Sequence, residues 1–150
     1  MIKIICVGKI KEKFYLDAIK EYQTRISKYS KIEIIELNDE NYDIKKTLRE
    51  EYNSIMKVFN KSDYNILMDI SGMEMDSLSF AKKIDNIFME NSNITFIIGG
   101  SYGVLDDLRK VCNIRLSFSK MTFPHQLFRV VLLEQIYRAF KINHNEEYHK

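Results

Sequence analysis

Three glycines fall within five positions, Gly99, Gly100 and Gly103, in the run IIGGSYGV. Glycine tolerates positive φ and lets backbone approach a ligand closely, so this run suits a binding loop, though a plain turn uses the same residues. The spacing is not the dinucleotide fingerprint, because no acidic residue follows about 20 positions on, and no Gly-Lys-Ser or Gly-Lys-Thr makes it a P-loop. His125, His144 and His149 lack any zinc-type spacing, so no metal is expected. Cys6 and Cys112 form no C-x-x-C pair, and no serine sits in a nucleophile elbow. The terminal Tyr148-His149-Lys150 sets a stacking ring, a base of near-neutral pKa and a cation side by side. On a polar tail, NHNEEYHK, the plain expectation is a frayed end and the functional one is a catalytic arm.

The elements that must position these groups follow from periodicity. Compact apolar runs predict strands over 2–7, 32–37, 64–70, 93–98 and 114–118. Helical spacing predicts helices over 12–28 (Phe14, Ala18, Ile19, Tyr22, Ile26), around Ile44 to Phe59, around Phe80 to Phe88, over 105–110 and over 126–142. Lys9 to Lys13 is a basic loop, and Pro124 is placed at the first position of the last helix, after a loop over 119–123. Strands alternating with helices give a single α/β domain with a mostly parallel sheet covered on both faces. In such sheets ligands bind beyond the carboxyl ends of the strands, which selects the segments 70–75, 99–104 and 119–123 together.

The last helix has more apolar surface than one core contact needs. Phe128, Leu132, Leu133, Ile136, Ala139 and Phe140 form a core stripe, while Leu127, Val130, Val131 and Tyr137 lie opposite, among Gln126, Arg129, Glu134 and Arg138. A chain of 150 residues is short for surrounding such a helix, which favours a dimer contact. Net charge is only +2, but residues 1–31 hold eight basic and three acidic side chains, against seven and thirteen over 32–92. A positive surface can therefore exist without a high overall charge, although dispersed charge on a solvated surface accounts for the same numbers. No leader-like segment or apolar run of membrane length is seen, and a soluble cytoplasmic protein is expected.

IIGGSYG, LSFSKMTFPHQLFRVVLLEQIYRAFKI and the terminal YHK together resemble the RlmH group of SPOUT methyltransferases. The resemblance runs over the full length, the opening KIICVGKIKEKF included. It implies a single SPOUT domain over 1–150 with a C-terminal trefoil knot, a topology that the general rule against knots would have excluded. It implies transfer of methyl from S-adenosylmethionine to N3 of a pseudouridine in bacterial 23S ribosomal RNA, within assembled ribosomes, by a metal-free homodimer with its active site at the subunit interface. The implied cofactor pocket falls on Met68, Gly99, Phe118, Ser119, Lys120, Met121, Thr122 and Phe123. The implied catalytic tail is Tyr148 to stack on the base, His149 as candidate proton acceptor, and Lys150 for a phosphate. Lys150 stands where some relatives have arginine, so a bidentate contact is not expected. The competing expectations are a non-catalytic nucleotide-binding module and a SPOUT enzyme acting on transfer RNA or on ribose.

Overall fold

The computed structural model describes residues 1–150. In chain order the elements are β1 (Ile2–Val7), α1 (Lys13–Ile26), β2 (Ile32–Leu37), α2 (Ile44–Val58), β3 (Tyr64–Glu74), α3 (Ser77–Glu90), β4 (Ile94–Ile98), α4 (Asp106–Val111), β5 (Ile114–Ser117) and α5 (His125–Asn143). The strands form one parallel sheet in the order β2-β1-β4-β3-β5. Each parallel crossover carries a helix onto one face of the sheet, which is why the strands read as continuous apolar runs.

Side chains alternate between the two faces. Ile2, Ile4, Ile66, Ile94, Phe96 and Leu116 point into the larger core cluster, which is closed by residues of α1, α3 and α5. Ile5, Val7, Leu67 and Ile97 point the other way, against Ile55 of α2 and Leu108 of α4. The helix α5 lies between α1 and α3 and contacts both. Its expected stripe is buried from Leu132 to Phe140, with Phe128 half-buried. Tyr137, expected on the second apolar sector, packs near Tyr22 and Tyr29 with ring centroids 6.3 and 6.4 Å away. Leu127 remains exposed and Val131 half-buried, so one chain covers only part of that sector.

Three details differ from the sequence expectations. The strand β3 continues past Ile70 to Glu74, because a register shift between Met68 and Met73 lets both pair with Leu116 of β5. Pro124 is the N-cap residue, with extended ψ of 141°, and His125 takes the first helical position. The proline ring still supplies a fixed φ and leaves no N–H to satisfy.

Arg129 is the third. Helical position grouped it with polar residues, but it is 2% exposed. Its Nη1 donates to Glu36 Oε2 at 2.6 Å, and its Nη2 donates to the carbonyls of Val7 and Gly8. One guanidinium thus ties α5 to the ends of β1 and β2. Truncating one partner of a buried ion pair strands the other, a cost moderated here because Glu36 keeps a third of its side chain in solvent. Arg129→Met should lower stability by about 2–4 kcal/mol in urea unfolding, and Glu36→Gln by at least as much, since it leaves the buried guanidinium without a counter-charge. Equal unfolding midpoints for Arg129→Met and the parent chain would show that α5 is held by its apolar stripe alone.

Candidate active site

A cavity of about 420 Å³ opens beyond the carboxyl ends of β4 and β5 and beside Met68 to Ile70 in the middle of β3, with the first turn of α5 as its remaining wall. Of the expected segment 70–75 only Ile70 lines it, because the rest continues β3. This is where a parallel sheet leaves backbone groups and loops free to meet a ligand. Met68, Gly99, Phe118, Ser119, Met121, Thr122 and Phe123 all line it. Lys120, the eighth residue of that expected set, lies in the same loop but is exposed and does not line the cavity.

Short-range bonds shape both loops. Gly103 donates its N–H to the carbonyl of Gly100 at 3.1 Å and adopts φ of +83°, closing a tight turn that an L side chain would strain. A Cβ at Gly99 would lie 2.7 Å from the carbonyl oxygen of Gly103, so that position is fixed by contact within the turn itself. In the second loop Ser117 Oγ donates to the carbonyl of Ser119, and Ser119 Oγ accepts from the N–H of Met121, both at 2.9 Å. Phe118 packs edge-on against Phe80 and tilted against Phe128, giving an apolar wall, while Met121 stands 78% exposed at the rim.

Several polar groups in or behind the walls were not singled out from sequence. Asp69 interrupts the apolar run of β3, and its side chain is 5% exposed. Burial opposes its charge, but Arg109 Nε at 2.8 Å and the N–H and hydroxyl of Ser71 outweigh this and hold the carboxyl below its usual range. Arg109 also reaches the carbonyl of Val104, so α4 braces the glycine turn. Behind that turn the carboxylate of Glu51 is buried against Gly100 with Oε1 unpartnered, and burial raises its pKa. Burial also pushes the thiols of Cys6 and Cys112 up to about 11 and about 12, so neither is a thiolate nucleophile at neutral pH. No three metal-ligating side chains cluster, and no helix is long and apolar enough to cross a membrane.

The tail is docked rather than frayed. Asn145 turns the chain with φ of 54°, and Glu146 bonds Lys141 Nζ at 2.6 Å and Tyr29 Oη at 2.8 Å. Tyr148 donates its hydroxyl to Glu134 Oε1 at 3.0 Å, and Arg138 lies over its ring. Arg138 Nη1 is 3.2 Å from His149 Nδ1. Arginine can only donate, so Nδ1 accepts and the neutral imidazole carries its proton on Nε2. His149 therefore has no free lone pair while docked, and Lys150 is exposed. None of the three tail residues lines the cavity. Glu134 lies nine residues along α5 from His125, about 14 Å at 1.5 Å per residue.

A family model described as "Predicted SPOUT methyltransferase" matches residues 1–149. The chain belongs to the SPOUT methyltransferase family. It is 50% identical to a Clostridium perfringens protein named ribosomal RNA large subunit methyltransferase H 1, over 99% of each chain. It is 42% identical to the Caldicellulosiruptor saccharolyticus ribosomal RNA large subunit methyltransferase H, over 100% of each. Among solved structures, a probable methylase family protein from Haemophilus influenzae aligns with a TM-score of 0.59 at 12% identity, over 99% of this chain and 70% of that one, and so shares the fold. Family membership implies a methyl-donor cofactor.

His125 lines this site, and burial, reinforced by the charge of Arg129, lowers its pKa below 6.5. The unfolded chain takes up a proton below about pH 6.5 that the folded chain resists, so this contribution is whole above that pH and is lost as pH falls. Melting temperatures from pH 7 to pH 5 should decline less for His125→Gln than for the parent chain. Parallel curves would show that His125 titrates alike in both states.

Proposed function

We propose that this chain transfers methyl from S-adenosylmethionine to N3 of a pseudouridine in 23S ribosomal RNA, as a cytoplasmic homodimer acting on assembled ribosomes. The observation that carries the reading is the cavity itself, set between the glycine turn and the serine-locked loop of a chain half identical to named large-subunit RNA methyltransferases. A volume of about 420 Å³ falls in the range of small-molecule sites. Phe118, Phe123 and Phe128 offer apolar walls to an adenine ring, and the close backbone of Gly99 offers polar edges. The cofactor, when bound, supplies an electrophilic methyl group whose departing sulfur keeps the electron pair of the broken S–C bond.

The chain's own task is to hold the accepting nitrogen in line and to remove its imide proton. In this reading Tyr148, His149 and Lys150 do so in trans. The distance along α5 separates the docked tail from its own cavity, whereas a partner packed on Leu127 and Val131 brings a second tail to it. The C-terminal trefoil knot expected of the family belongs to the same reading, supported by the loops after β4 and β5 meeting at one cavity.

Two measurements test this. Gly99→Val should weaken S-adenosylmethionine binding at least tenfold in calorimetry by driving Val104 and Gly103 apart, whereas deletion of Tyr148 to Lys150 should spare binding and abolish methyl transfer to unmodified ribosomes. Mixed in equal amounts and reassembled at a cofactor concentration too low to fill the Gly99→Val pocket, the two variants should regain about a quarter of parental activity, because half the dimers then carry one intact composite site. No recovery in verified mixed dimers would place tail and cavity in one chain, and labelled methyl on transfer RNA or ribose would replace the substrate.

A further inference from the structure

The basic segment after β1 takes no part in the cavity or the docked tail. We propose that Lys9 to Phe14 is the surface on which the RNA strand flanking the target nucleotide docks, its phosphates meeting Lys9, Lys11 and Lys13 and an unpaired base stacking on Phe14. The proposal rests on the RNA-methyltransferase reading above.

The segment leaves the carboxyl end of β1, whose Cys6 pairs with Ile98, the residue before Gly99 of the cavity. Arg129, which grips the carbonyls of Val7 and Gly8, sits one helical turn after His125 in the cavity wall. The same Glu36 carboxylate that pairs with Arg129 also accepts the N–H of Ile10 at 3.0 Å. Ile10 is buried, so the strip is anchored at its middle while Lys9 and Lys11 on either side are exposed. The strip is a fixed feature of the cavity's end of the sheet.

Its composition is wrong for folding and right for an anion. Lys11 and Lys13 flank the N-cap of α1, whose first turn contains no acidic residue and whose N-cap Glu12 makes no side-chain capping bond. Cations there oppose the helix macrodipole, which favours negative charge at that end. Glu12 at the N-cap and Asp17 offset only part of this charge, and a local rule broken in this way suits a functional position. Lys9 and Lys11 form no ion pair, and the Lys13–Asp17 pair has both side chains largely in solvent, where such a pair holds weakly. Beside them Phe14 is 66% exposed, its ring 4.4 Å from that of half-buried Tyr15. Lysines interleaved with an exposed ring match single-stranded RNA, which offers phosphates and unstacked bases in alternation.

The test measures methyl transfer to unmodified bacterial ribosomes across ionic strength. The triple variant Lys9→Ala, Lys11→Ala, Lys13→Ala should raise KM at least tenfold near 0.1 M salt, with kcat at saturation within about twofold of the parent. Its log kcat/KM should fall less steeply with log salt, by about 2, at roughly 0.7 for each lost phosphate contact. Phe14→Ala should raise KM about fivefold or more and Phe14→Trp should restore it. Cofactor affinity should be unchanged, and removal of cations from the helix start should leave the melting temperature equal or higher. An unchanged salt slope and KM in the triple variant overturns the proposal. A changed oligomeric state in Phe14→Ala, read by light scattering, also overturns it by assigning the ring to a subunit contact. Absence of methyl transfer by the parent chain would instead remove the functional reading, and this proposal with it.

Discussion

The buried guanidinium of Arg129 is the constraint on which the working end of the molecule depends. Burying a charge is costly unless it is paired, and this one meets a carboxylate and two strand-end carbonyls. Those partners belong to β1 and β2, while the arginine belongs to the helix whose first turn walls the cavity. The angle and depth at which α5 enters are therefore fixed by a directional contact rather than by apolar packing alone, which leaves a helix free to slide or rotate. Glu36 extends the constraint by accepting Ile10 N–H, so the cavity wall and the basic strip share one anchor. Nε of Arg129 remains unpartnered, so the anchor satisfies its guanidinium only in part.

Around that fixed helix, rigidity is distributed unevenly. The two cavity loops are closed by bonds spanning two or three residues, Ser117 to Ser119, Ser119 to Met121 and Gly100 to Gly103. Local bonds of this kind close small loops at little entropic cost and hold them without burying much surface. Arg109 then bridges from α4 to Asp69 in β3 and to Val104 of the glycine turn. A cavity so built is formed before any ligand arrives, which reduces the ordering cost of binding.

The parts of this arrangement that were legible in the sequence are those with a local cause. Strand-helix alternation follows from periodicities of 2 and 3.6, and the strand-end loops follow from where glycine and serine interrupt apolar runs. Once the strands were placed, the rule for parallel sheets selected the segments 70–75, 99–104 and 119–123, whereas Met68 and Phe118 were named only by the family resemblance. The parts that were not legible depend on partners far away in the chain. Arg129 and Glu36 are 93 residues apart, and Arg109 and Asp69 are 40 apart. A helical wheel gives the face of Arg129 but not the strand ends beneath that face. The pair Ser71-Gly72 reads as a stop, yet β3 runs on because β5 tolerates a register shift. The polar tail reads as frayed because composition does not reveal that Glu134 and Arg138 wait for it on α5.

The contrast between cavity and tail is itself informative. The cavity's walls are braced by the buried side chains of Arg129 and Asp69, whereas the tail is held by contacts in or near solvent. Lys141 and Glu146 are ion-paired where water screens them, and Tyr148 keeps one hydrogen bond and an edge contact with Tyr137. Such contacts leave the polar partners open to water on undocking, which then costs chiefly the packing of the half-buried Tyr148 ring on Tyr137 and Arg138. The docked geometry also engages His149 Nδ1 with Arg138, the one lone pair that a neutral imidazole with its proton on Nε2 can offer. Docking and proton acceptance at His149 are therefore mutually exclusive for one and the same ring. On the proposed reading, His149 can take the imide proton only once the tail has left Arg138, so the contact that positions the tail also withholds that lone pair.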